Sequence, residues 1–324
     1  MKGLRKILSP FAPDQSGAVS ALFGLGGMTV ILDAGGCTGN ICDFDEPRWR
    51  SEKSAVFSAG LRDMDAIMGR DDKLAEKIAD AAEKIEPEFI ALIGTPVPAV
   101  TGTDLRALAE ITEKETGLPV IFAQTNGMAL YDRGASAALE ALYGKFAVDK
   151  LPAEAGRVNM LGVLPQDNLA EYAPSSLGCI RTAAAAEKNI VASPSGMRTA
   201  KLLNKRFGTP YETACPAEKA AFCRGTEYAG KNVLVVHQHV FADTVRKKLL
   251  AAGAAKVTAV SWFMLLPEIS REGDIHIKEE DEFKELAAGG NFDIIIADIA
   301  LKPLAKDFAG IWTDAPHFAL SGRE

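Results

Sequence analysis

Residues 28–42 read MTVILDAGGCTGNIC, and this segment is the strongest indication of the fold class in the sequence. Its first five residues form a short apolar run that ends at an aspartate and a glycine-rich loop. Such a run, bounded by turn residues, predicts a strand that is buried on both faces. Strands of this kind are typical of parallel sheets, because helices cover both faces of such sheets.

The same order of apolar run, turn and amphipathic helix is repeated along the chain. Strands are predicted at residues 28–32, 89–93, 120–123, 158–163, 189–192, 231–237, 256–260 and 292–297. Helices are predicted at residues 72–84, 104–115, 196–207, 242–252 and 280–288. Strands that alternate with helices at this spacing predict an α/β fold of doubly wound parallel sheets.

The length of 324 residues and the repeated pattern predict two to three Rossmann-like domains. The predicted ranges are 1–150 for an N-terminal α/β domain, 151–229 for a shortened middle α/β unit and 230–324 for a C-terminal Rossmann-like domain. The polar segment 153–157 is expected to be a linker. Ligands of open parallel sheets lie beyond the carboxyl ends of the strands, so the loops there are the candidate sites.

Composition excludes several classes of protein. The 36 basic and 43 acidic residues give a net charge of −7, which argues against broad nucleic-acid binding. The five cysteines are an odd number in a long chain, which argues against a secreted disulfide scaffold. The first residues lack the apolar run of a signal peptide, and no apolar stretch is long enough to span a membrane. We therefore expect a reducing cytoplasm, where the cysteines are free thiols or metal ligands.

The loop at residues 33–42 places two cysteines beside three glycines. Gly35, Gly36 and Gly39 permit positive φ angles and a close approach of the backbone to a bound group. Cys37 and Cys42 are therefore candidate ligands of a metal or a cluster. The alternative is that they are two small apolar residues in a glycine-rich turn.

Two thiolates are too few for a four-iron cluster, which usually needs four. A symmetric dimer can supply two from each chain, or a carboxylate or another cysteine can complete the ligand set. A tetrahedral zinc site agrees with the same count, but the spacing of Cys37 and Cys42 lies outside the usual range. Cys179, Cys215 and Cys223 are expected to be structural.

Two histidines follow the predicted strand at residues 231–237. Strand alternation would point His237 and His239 to the same side, where they can form a metal or proton-transfer site. The alternative is that one histidine caps the next helix and the other is packed. His276 and His317 show no partner in the sequence.

Two further segments at the predicted sheet edge are less specific. Thr95 begins a proline-rich loop at residues 95–102 that can contribute to a pocket, and Thr103 or Asp104 is expected to cap the next helix. Residues 43–49 read DFDEPRW and are expected to be a solvated turn, with a segment that docks a partner or lines a pocket as the alternative. No G-x-x-x-x-G-K-[ST] motif occurs, so we expect no nucleotide on this chain.

Several segments together resemble component 1 of nitrogenase and its relatives. These relatives include the cofactor-maturation scaffold, the dark-operative protochlorophyllide and chlorophyllide reductases, and the nitrogenase-like enzyme of coenzyme F430 synthesis. The segments are residues 13–18 (PDQSGA), 33–39 (DAGGCTG), 56–74 (VFSAGLRDMDAIMGRDDKL), 91–96 (ALIGTP), 102–105 (GTDL), 189–198 (NIVASPSGMR) and 230–236 (GKNVLVV). Their order and spacing, more than any single segment, carry the resemblance.

The resemblance implies three Rossmann-like domains around a central cleft, and a dimer of such subunits. It also implies an iron–sulfur cluster at or near the subunit interface. Electrons would arrive from a separate ATP-hydrolysing iron protein, which agrees with the missing nucleotide motif here.

The chain also departs from the family pattern. Members commonly use three cysteines per subunit for the interface cluster, and Cys37 matches the middle one. The first would fall near Asp14 or Gln15 and the third near residues 95–97, where this chain has no cysteine. Ser193 stands in the segment where nitrogenase proper holds its large cofactor with a cysteine, so a molybdenum cofactor is not expected. The chain is also considerably shorter than the nitrogenase subunits, so nitrogen reduction is not expected.

These observations predict a cytoplasmic, anaerobic, nitrogenase-like oxidoreductase component that forms a homodimer. Cys37 and Cys42 of both chains would ligate one [4Fe–4S] cluster that receives electrons from the iron protein. A small-molecule or tetrapyrrole substrate would lie in a cleft lined by the loops 33–42, 95–102, 193–197 and 237–239, so that Asp14, Thr95, Ser193, His237 and His239 are candidate pocket residues.

Two alternatives remain open at this point. The first is a non-redox scaffold or binding protein for a tetrapyrrole or a metallocluster precursor. The second is an α/β protein that binds zinc or another metal through His237 and His239. No nucleic-acid or membrane partner is expected from the composition.

Overall fold

A computed structural model describes residues 5–62, 69–164, 169–216 and 227–322. The strands are β1 Gly27–Ile31, β2 Ala55–Ser58, β3 Phe89–Ile93, β4 Val120–Ala123, β5 Glu154–Leu161, β6 Ala186–Val191, β7 Tyr211–Thr213, β8 Asn232–Val236, β9 Lys256–Ser261, β10 Ile275–His276, β11 Ile294–Ala297 and β12 Ile311–Asp314. The α-helices are α1 Asp14–Leu22, α2 Gly36–Asn40, α3 Asp71–Ile85, α4 Pro96–Thr101, α5 Leu105–Thr116, α6 Tyr131–Phe146, α7 Leu177–Arg181, α8 Met197–Phe207, α9 His239–Ala251, α10 Glu280–Gly289 and α11 Phe318–Ser321.

The described strands form three parallel sheets, as predicted. Their orders are β2-β1-β3-β4, β5-β6-β7 and β10-β9-β8-β11-β12. The sheets take their strands from residues 27–123, 154–213 and 232–314, one from each predicted domain range. The domain boundaries themselves stay a prediction.

The first sheet is covered by helices on both faces. Alternate residues of the fully buried β1 and β3 point to opposite sides, because successive side chains of a strand do so. Met28 and Ile90 pack with the buried residues of α3 and α5 on one side. Ile31 and Phe89 pack with α1 and α6 on the other side, in a core that continues into the other two sheets. This arrangement is the predicted doubly wound architecture.

Helices α1 and α6 touch through their backbones under the first sheet. A Cβ atom at Gly17 would lie 1.9 Å from the carbonyl oxygen of Tyr131, and one at Gly134 would lie 1.7 Å from that of Asp14. Only glycine permits this approach. The contact fixes the start of α1 against the loop after β4, at the edge that carries the cysteines.

The predicted linker at residues 153–157 is wrong, because β5 begins at Glu154. The register of β5 against β6 shifts between Glu154 and Val158, and Gly156 between them has a φ of +79°. This bulge and the exposure of the first residues explain the polar sequence. The segment is an edge strand with its side chains in solvent, so it lacks the apolar alternation that would have predicted it.

Most predicted element ends agree with the structure. The predicted strands at 89–93 and 120–123 have the observed bounds, and α5 and α8 end where Gly117 and Gly208 adopt the left-handed conformation. Helix α9 begins three residues earlier than predicted, at His239. In the described ranges, no helix is long and apolar enough to cross a membrane.

Candidate functional site

Asp33 anchors the cysteine loop directly after β1. Its buried carboxylate accepts hydrogen bonds from the Ser58 hydroxyl at 2.6 Å and from the Thr38 amide and hydroxyl at 2.8 and 3.0 Å. Gly35 then turns the chain into α2 with a φ of +114°, a conformation that favours glycine. One aspartate therefore ties the start of α2 to the end of the neighbouring strand β2.

Cys37 lies in α2, and Cys42 lies in the following π-helical turn Ile41–Asp45. Both side chains are half-buried, and neither thiol has a hydrogen-bond partner among the described residues. Burial raises the pKa of both thiols, and the Asp33 carboxylate raises it further. The thiols are therefore protonated at neutral pH, and binding of a metal releases their protons.

The loop around these thiols is open. A Cβ atom added at Gly35, Gly36 or Gly39 would meet no atom within 4 Å. The space beside the loop can therefore hold a bound group or a second protein. Packing against the described residues therefore requires none of these three glycines, although the φ angle at Gly35 favours glycine.

Three exposed apolar side chains surround this edge, and we call them the apolar rim. They are Phe44, Val100 and Met128, which are 76%, 87% and 85% exposed. They follow β1, β3 and β4, which are neighbours in one parallel sheet, so they lie at the same edge as Cys37. Large exposed apolar side chains grouped at one edge are typical of a surface that another protein covers.

The segment 43–49 is not the solvated turn that the sequence favours. Glu46 is 2% exposed and binds the Arg48 guanidinium through two contacts of 2.7 Å. Its carboxylate also accepts from the Ser20 hydroxyl at 2.7 Å, and Arg48 lies over the Phe23 ring at 4.7 Å. The acidic and basic residues of this segment suggested exposure to solvent, but Glu46 and Arg48 form an ion pair that is mostly buried. This ion pair fixes the loop on α1 through Ser20, while Phe44 stays exposed.

Asp14 and Thr95 lie at the same sheet edge, but internal hydrogen bonds occupy them. The buried Asp14 carboxylate accepts from the amides of Asn126 and Gly127 at 3.1 and 2.7 Å. The buried Thr95 hydroxyl donates to the Leu32 carbonyl at 2.7 Å. It also caps α4, so the proline-rich segment is a short helix and not the expected loop. Asp104 caps α5 as predicted.

Gln15 is a residue at this edge that carries an unsatisfied group. Its side-chain oxygen is buried and has no hydrogen-bond partner among the described residues. It lies 3.2 Å from the position of a Cβ atom on Gly127. Gln15 is one of the two positions where the family resemblance places the first cluster cysteine.

Ser193 lies after β6 and is also occupied. Its hydroxyl donates to the carbonyl of Gly162 at 2.5 Å, which joins the ends of β5 and β6. A Cβ atom on Gly196 would lie 2.4 Å from the carbonyl of Leu161, so the two loops are in backbone contact. This carboxyl edge is closed by its own chain.

The structure separates His237 from His239. Strand β8 ends at Val236 and His239 begins α9, so the expected strand alternation does not hold. His239 is fully buried, its Nδ1 accepts from the Leu266 amide at 2.8 Å, and its Nε2 lies 3.4 Å from an Asp274 oxygen. Both ring nitrogens are therefore used inside the third domain range.

Asp274 belongs to a buried ionic network behind His239. Arg246 is 1% exposed and donates to Asp243 at 2.6 Å and to Asp274 at 2.5 Å. Burial lowers the pKa of His239, which stays neutral beside this network. These groups close the third sheet edge on the side of β9.

His237 instead contacts His317, which the sequence analysis left without a partner. The two ring centroids are 4.4 Å apart, and His237 stacks on Phe241 while His317 stacks on Phe263. Both histidines follow strands of the third sheet, β8 and β12, and the carboxyl ends of parallel strands share one edge. That rule was the signal that could have found the pair.

Each imidazole of this pair has one used and one unused nitrogen. His237 Nε2 lies 3.0 Å from the Pro316 carbonyl, and His317 Nδ1 accepts from the Ala319 amide at 3.2 Å. Nδ1 of His237 and Nε2 of His317 have no partner among the described residues. Burial lowers the pKa of His237 to about 4 and lowers the pKa of His317 well below its usual value, so both rings are neutral at pH 7.

In the part of the chain that the structure describes, no group of three or more His, Cys, Asp or Glu side chains has the geometry of a metal site. Among the described residues, Cys37 and Cys42 therefore have no third His, Cys, Asp or Glu side chain grouped with them as a metal ligand. A second chain is one source of further ligands.

Comparison with known proteins relates the chain to one family. The sequence model of the nitrogenase component 1 type oxidoreductases matches residues 14–218, more than half of the chain. The nitrogenase iron-molybdenum cofactor biosynthesis protein NifE of Clostridium pasteurianum is 31% identical over 175 residues, 48% of this chain and 38% of that protein. The protein of the same name from Klebsiella pneumoniae is 32% identical over 72 residues, 22% of this chain and 16% of that protein. The matches thus span well under half the length of these curated relatives.

The fold agrees with solved structures of the same kind. The structure of nitrogenase Cp1 at pH 6.5 superposes with a TM-score of 0.71 over 97% of this chain and 87% of that chain, at 12% identity. At this identity the likeness concerns the fold alone. The match of the family sequence model and this shared architecture agree with the segments that carry the resemblance. The chain therefore belongs to the nitrogenase component 1 type oxidoreductase family.

Proposed function

We propose that the protein is a nitrogenase-like redox component in which two copies hold one [4Fe–4S] cluster between them. Cys37 and Cys42 of each copy would supply the four thiolates. The observation that carries this proposal is the open cysteine loop, whose two unpartnered thiols lie at an edge surrounded by the exposed apolar rim. A second copy would bury the rim and complete the ligand set.

The chemistry of the loop fits such a cluster. Thiolates are the usual ligands of iron–sulfur clusters, and four of them complete a [4Fe–4S] centre. The open space at Gly36 and Gly39 leaves room beside Cys37, and Asp33 holds the backbone of α2 in place. When bound, the cluster would supply one-electron transfer. The residues of this chain would orient it and exclude water.

As the family resemblance implies, electrons would come from a separate ATP-hydrolysing iron protein, which agrees with the missing phosphate-binding motif in this sequence. A small-molecule or tetrapyrrole substrate would lie beside the loops 33–42 and 95–102 at the first sheet edge, because internal hydrogen bonds occupy Ser193 and His239 in the predicted loops 193–197 and 237–239. We place the protein in an anaerobic cytoplasm, and we propose the domain ranges 1–150, 151–229 and 230–324. The chemistry of reduction belongs to the cluster, and the protein positions the reactants.

A scaffold that carries a tetrapyrrole or a metallocluster precursor is the second candidate function. The specific observation in its favour is that Ser193 and His239 are occupied by internal hydrogen bonds, so these candidate pocket residues offer no free ligand. The names of the matched relatives, which describe cofactor biosynthesis, support the same reading. In this case the cluster would be transferred and would not take part in turnover.

Anaerobic reconstitution of the full chain tests the cluster. We expect about two iron and two sulfide per chain, a [4Fe–4S] EPR signal after reduction, and a dimer by sedimentation. Cys37→Ala and Cys42→Ala should each lower the iron content to near background. Cys179→Ala, which changes an exposed cysteine in α7, is the matched control and should keep the iron. Background iron in the wild type, or full iron in Cys37→Ala, would contradict the proposal.

The two candidate functions are separated by what happens to the loaded protein. A redox component should be reduced by an iron protein of the nitrogenase type with MgATP, and not with MgADP, while its iron content stays constant. A scaffold should lose its iron to an apo-acceptor protein at a rate that does not depend on ATP. Both measurements begin from the same reconstituted dimer.

A further inference from the structure

A second cavity lies away from the thiols, where the N-terminal segment meets the first and third sheets. It has a volume of about 270 Å³ and lies between residue 5, the start of α6 and the ends of β9 and β10. We call it the cationic pocket. Its polar lining side chains are Arg5, Asp132, Arg133, Trp262, His276 and Lys278. A cavity of this size is at the small end of the range for ligand sites, which suits a metabolite.

Three cationic side chains surround this pocket. Arg133 and Lys278 are exposed and form no ion pair with any residue that the structure describes. The Arg5 guanidinium lies 3.6 Å from the centre of the Phe11 ring, which holds it beside the cavity. Unpaired cations that converge on a concave surface favour an anionic ligand, because Arg and Lys bind carboxylate and phosphate oxygens.

The acidic groups near this pocket are already occupied. Asp132 is buried, and its two oxygens accept from the amides of Arg133 at 3.0 Å and Met264 at 2.6 Å. Burial raises the pKa of its carboxyl to about 6, so the group is still mostly ionised at pH 7. Glu280, which faces Arg5, accepts from the backbone amides of residues 6–8. Neither carboxylate lies within ion-pair distance of Arg133 or Lys278, although the charge of Arg133 lowers the pKa of Asp132 and the charge of Lys278 lowers the pKa of the neighbouring Glu282.

Trp262 supplies an independent sign of a missing acceptor. Its ring is buried against Phe11 and Phe283, with centroid distances of 6.0 and 5.5 Å. Its indole N–H has no hydrogen-bond partner among the described residues. A buried donor without an acceptor costs about 1–3 kcal/mol, so such groups usually meet a ligand or a water molecule. The other lining side chains, including Leu130, Phe263 and Ile277, are apolar.

We propose that the cationic pocket binds a small organic anion, whose carboxylate or phosphate oxygens meet Arg133 and Lys278. The apolar lining would contact the carbon part of the ligand. This site is distinct from the cysteine loop and does not require a cluster. Met128 borders both the pocket and the apolar rim, so the pocket would open beside the dimer interface proposed above.

Titration of the full chain with two anions tests this site and distinguishes the sources of the charge. Glycerol 3-phosphate represents a phosphate ester, and succinate represents a carboxylate. Calorimetry should show one saturable site for at least one of them, and tryptophan fluorescence should change on binding because Trp262 lines the cavity. Arg133→Gln and Lys278→Gln should each weaken binding at least about tenfold, since each removes a charge-assisted contact.

Two further variants keep the test decisive. Lys256→Gln makes the same charge change at the amino end of β9, the opposite edge of the same sheet, and should alter affinity less than about twofold. Trp262→Phe keeps an aromatic ring beside the cavity but removes the indole fluorophore, so it should abolish the fluorescence change. The proposal is overturned if neither anion binds saturably, or if Lys256→Gln weakens binding as much as Arg133→Gln.

Discussion

The carboxyl edge of the first sheet differs from those of the second and third, although all three occupy the same place in their sheets. At the first edge, the loop after β1 leaves Cys37 and Cys42 without hydrogen-bond partners among the described residues, and leaves space that no described atom fills beside Gly36 and Gly39. At the second edge, Ser193 and Gly196 join neighbouring strands in direct contact. At the third edge, stacked rings and a buried ionic network fill the space.

Sheet topology therefore identifies the edge where a site can form. The side chains at that edge decide whether it is open to a ligand. Ligands of parallel sheets bind at carboxyl edges because the strands diverge there and loops face each other. The third edge meets this condition and is nevertheless occupied by groups that satisfy one another. The first edge is the open one. Its loop is fixed by hydrogen bonds of two buried carboxylates, Asp33 and Glu46.

The largest expected effect lies in the closed third edge. Arg246→Ala would leave the carboxylates of Asp243 and Asp274 without their shared cation, while both side chains are nearly inaccessible to solvent. Removing one member of a buried ionic group costs about 3–5 kcal/mol, and we expect that loss in the free energy of unfolding. Chemical denaturation monitored by circular dichroism measures it.

Arg198→Ala is the matched control for this change. Arg198 pairs with Glu140 at 3.4 Å in an exposed position on α8, where such a pair contributes less than about 1 kcal/mol. If Arg246→Ala lowers the free energy of unfolding no more than Arg198→Ala does, the ionic network does not stabilise the closed third edge. The contrast drawn between the edges would then be wrong.

Local sequence predicted the buried parts of the fold and not its edges. Strands β3 and β4 are continuous apolar runs, so they had the predicted bounds. The edge strands β2 and β10 were missed because each is short and partly exposed, and β7 and β12 were missed for the same reason. A short edge strand is held by pairing with its neighbour, which a local pattern does not record.

The same distinction applies to the candidate sites. Cys37, Cys42 and the glycines are consecutive in sequence, so their common loop could be predicted from local sequence. His317 contacts His237 across two strands of one sheet, and the hydrogen bonds that occupy His239 come from residues far along the chain. Such contacts depend on tertiary packing, which explains why His237 and His239 were expected to share a site.

The second prediction concerns the pH dependence of stability at the third edge. Burial lowers the pKa of His237 to about 4, and this effect outweighs the opposite effect of the Asp298 charge. The neighbouring titratable ring is that of His317. Between pH 6.5 and about 4 the unfolded chain therefore binds a proton at this residue that the folded chain does not. The contribution of His237 to the free energy of unfolding is complete above pH 6.5. It is lost as the pH drops to about 4, a total loss of roughly 3 kcal/mol.

His237→Phe tests this prediction because it removes the titration and keeps a ring beside Phe241. The free energy of unfolding, measured from pH 7.5 to pH 4, should fall less steeply in the variant than in the wild type. Burial also raises the pKa of Asp132 to about 6, which makes stability rise as the pH drops. Both proteins contain Asp132, so its effect cancels when the two slopes are compared. Equal slopes in the two proteins would show that His237 is not held neutral by the closed edge.

The smallest expected effect lies in the open first edge. A Cβ atom at Gly39 would meet no described atom within 4 Å, and this glycine lies within α2 and does not have a positive φ angle. Gly39→Ala should therefore leave the free energy of unfolding unchanged within about 1 kcal/mol. It can raise stability slightly, because alanine restricts the unfolded chain. Thermal and chemical unfolding of the apoprotein measure this difference.

Gly196→Ala makes the same substitution at a closed edge, where the new methyl group would lie 2.4 Å from the Leu161 carbonyl. Because the obstacle is backbone on another strand end, the chain must shift, and we expect a loss of more than about 2 kcal/mol. The ratio of these two effects measures how open the first edge is. If Gly39→Ala is as destabilising as Gly196→Ala, the space beside Cys37 is already filled in the folded protein, and the room required for a cluster or a second copy is absent.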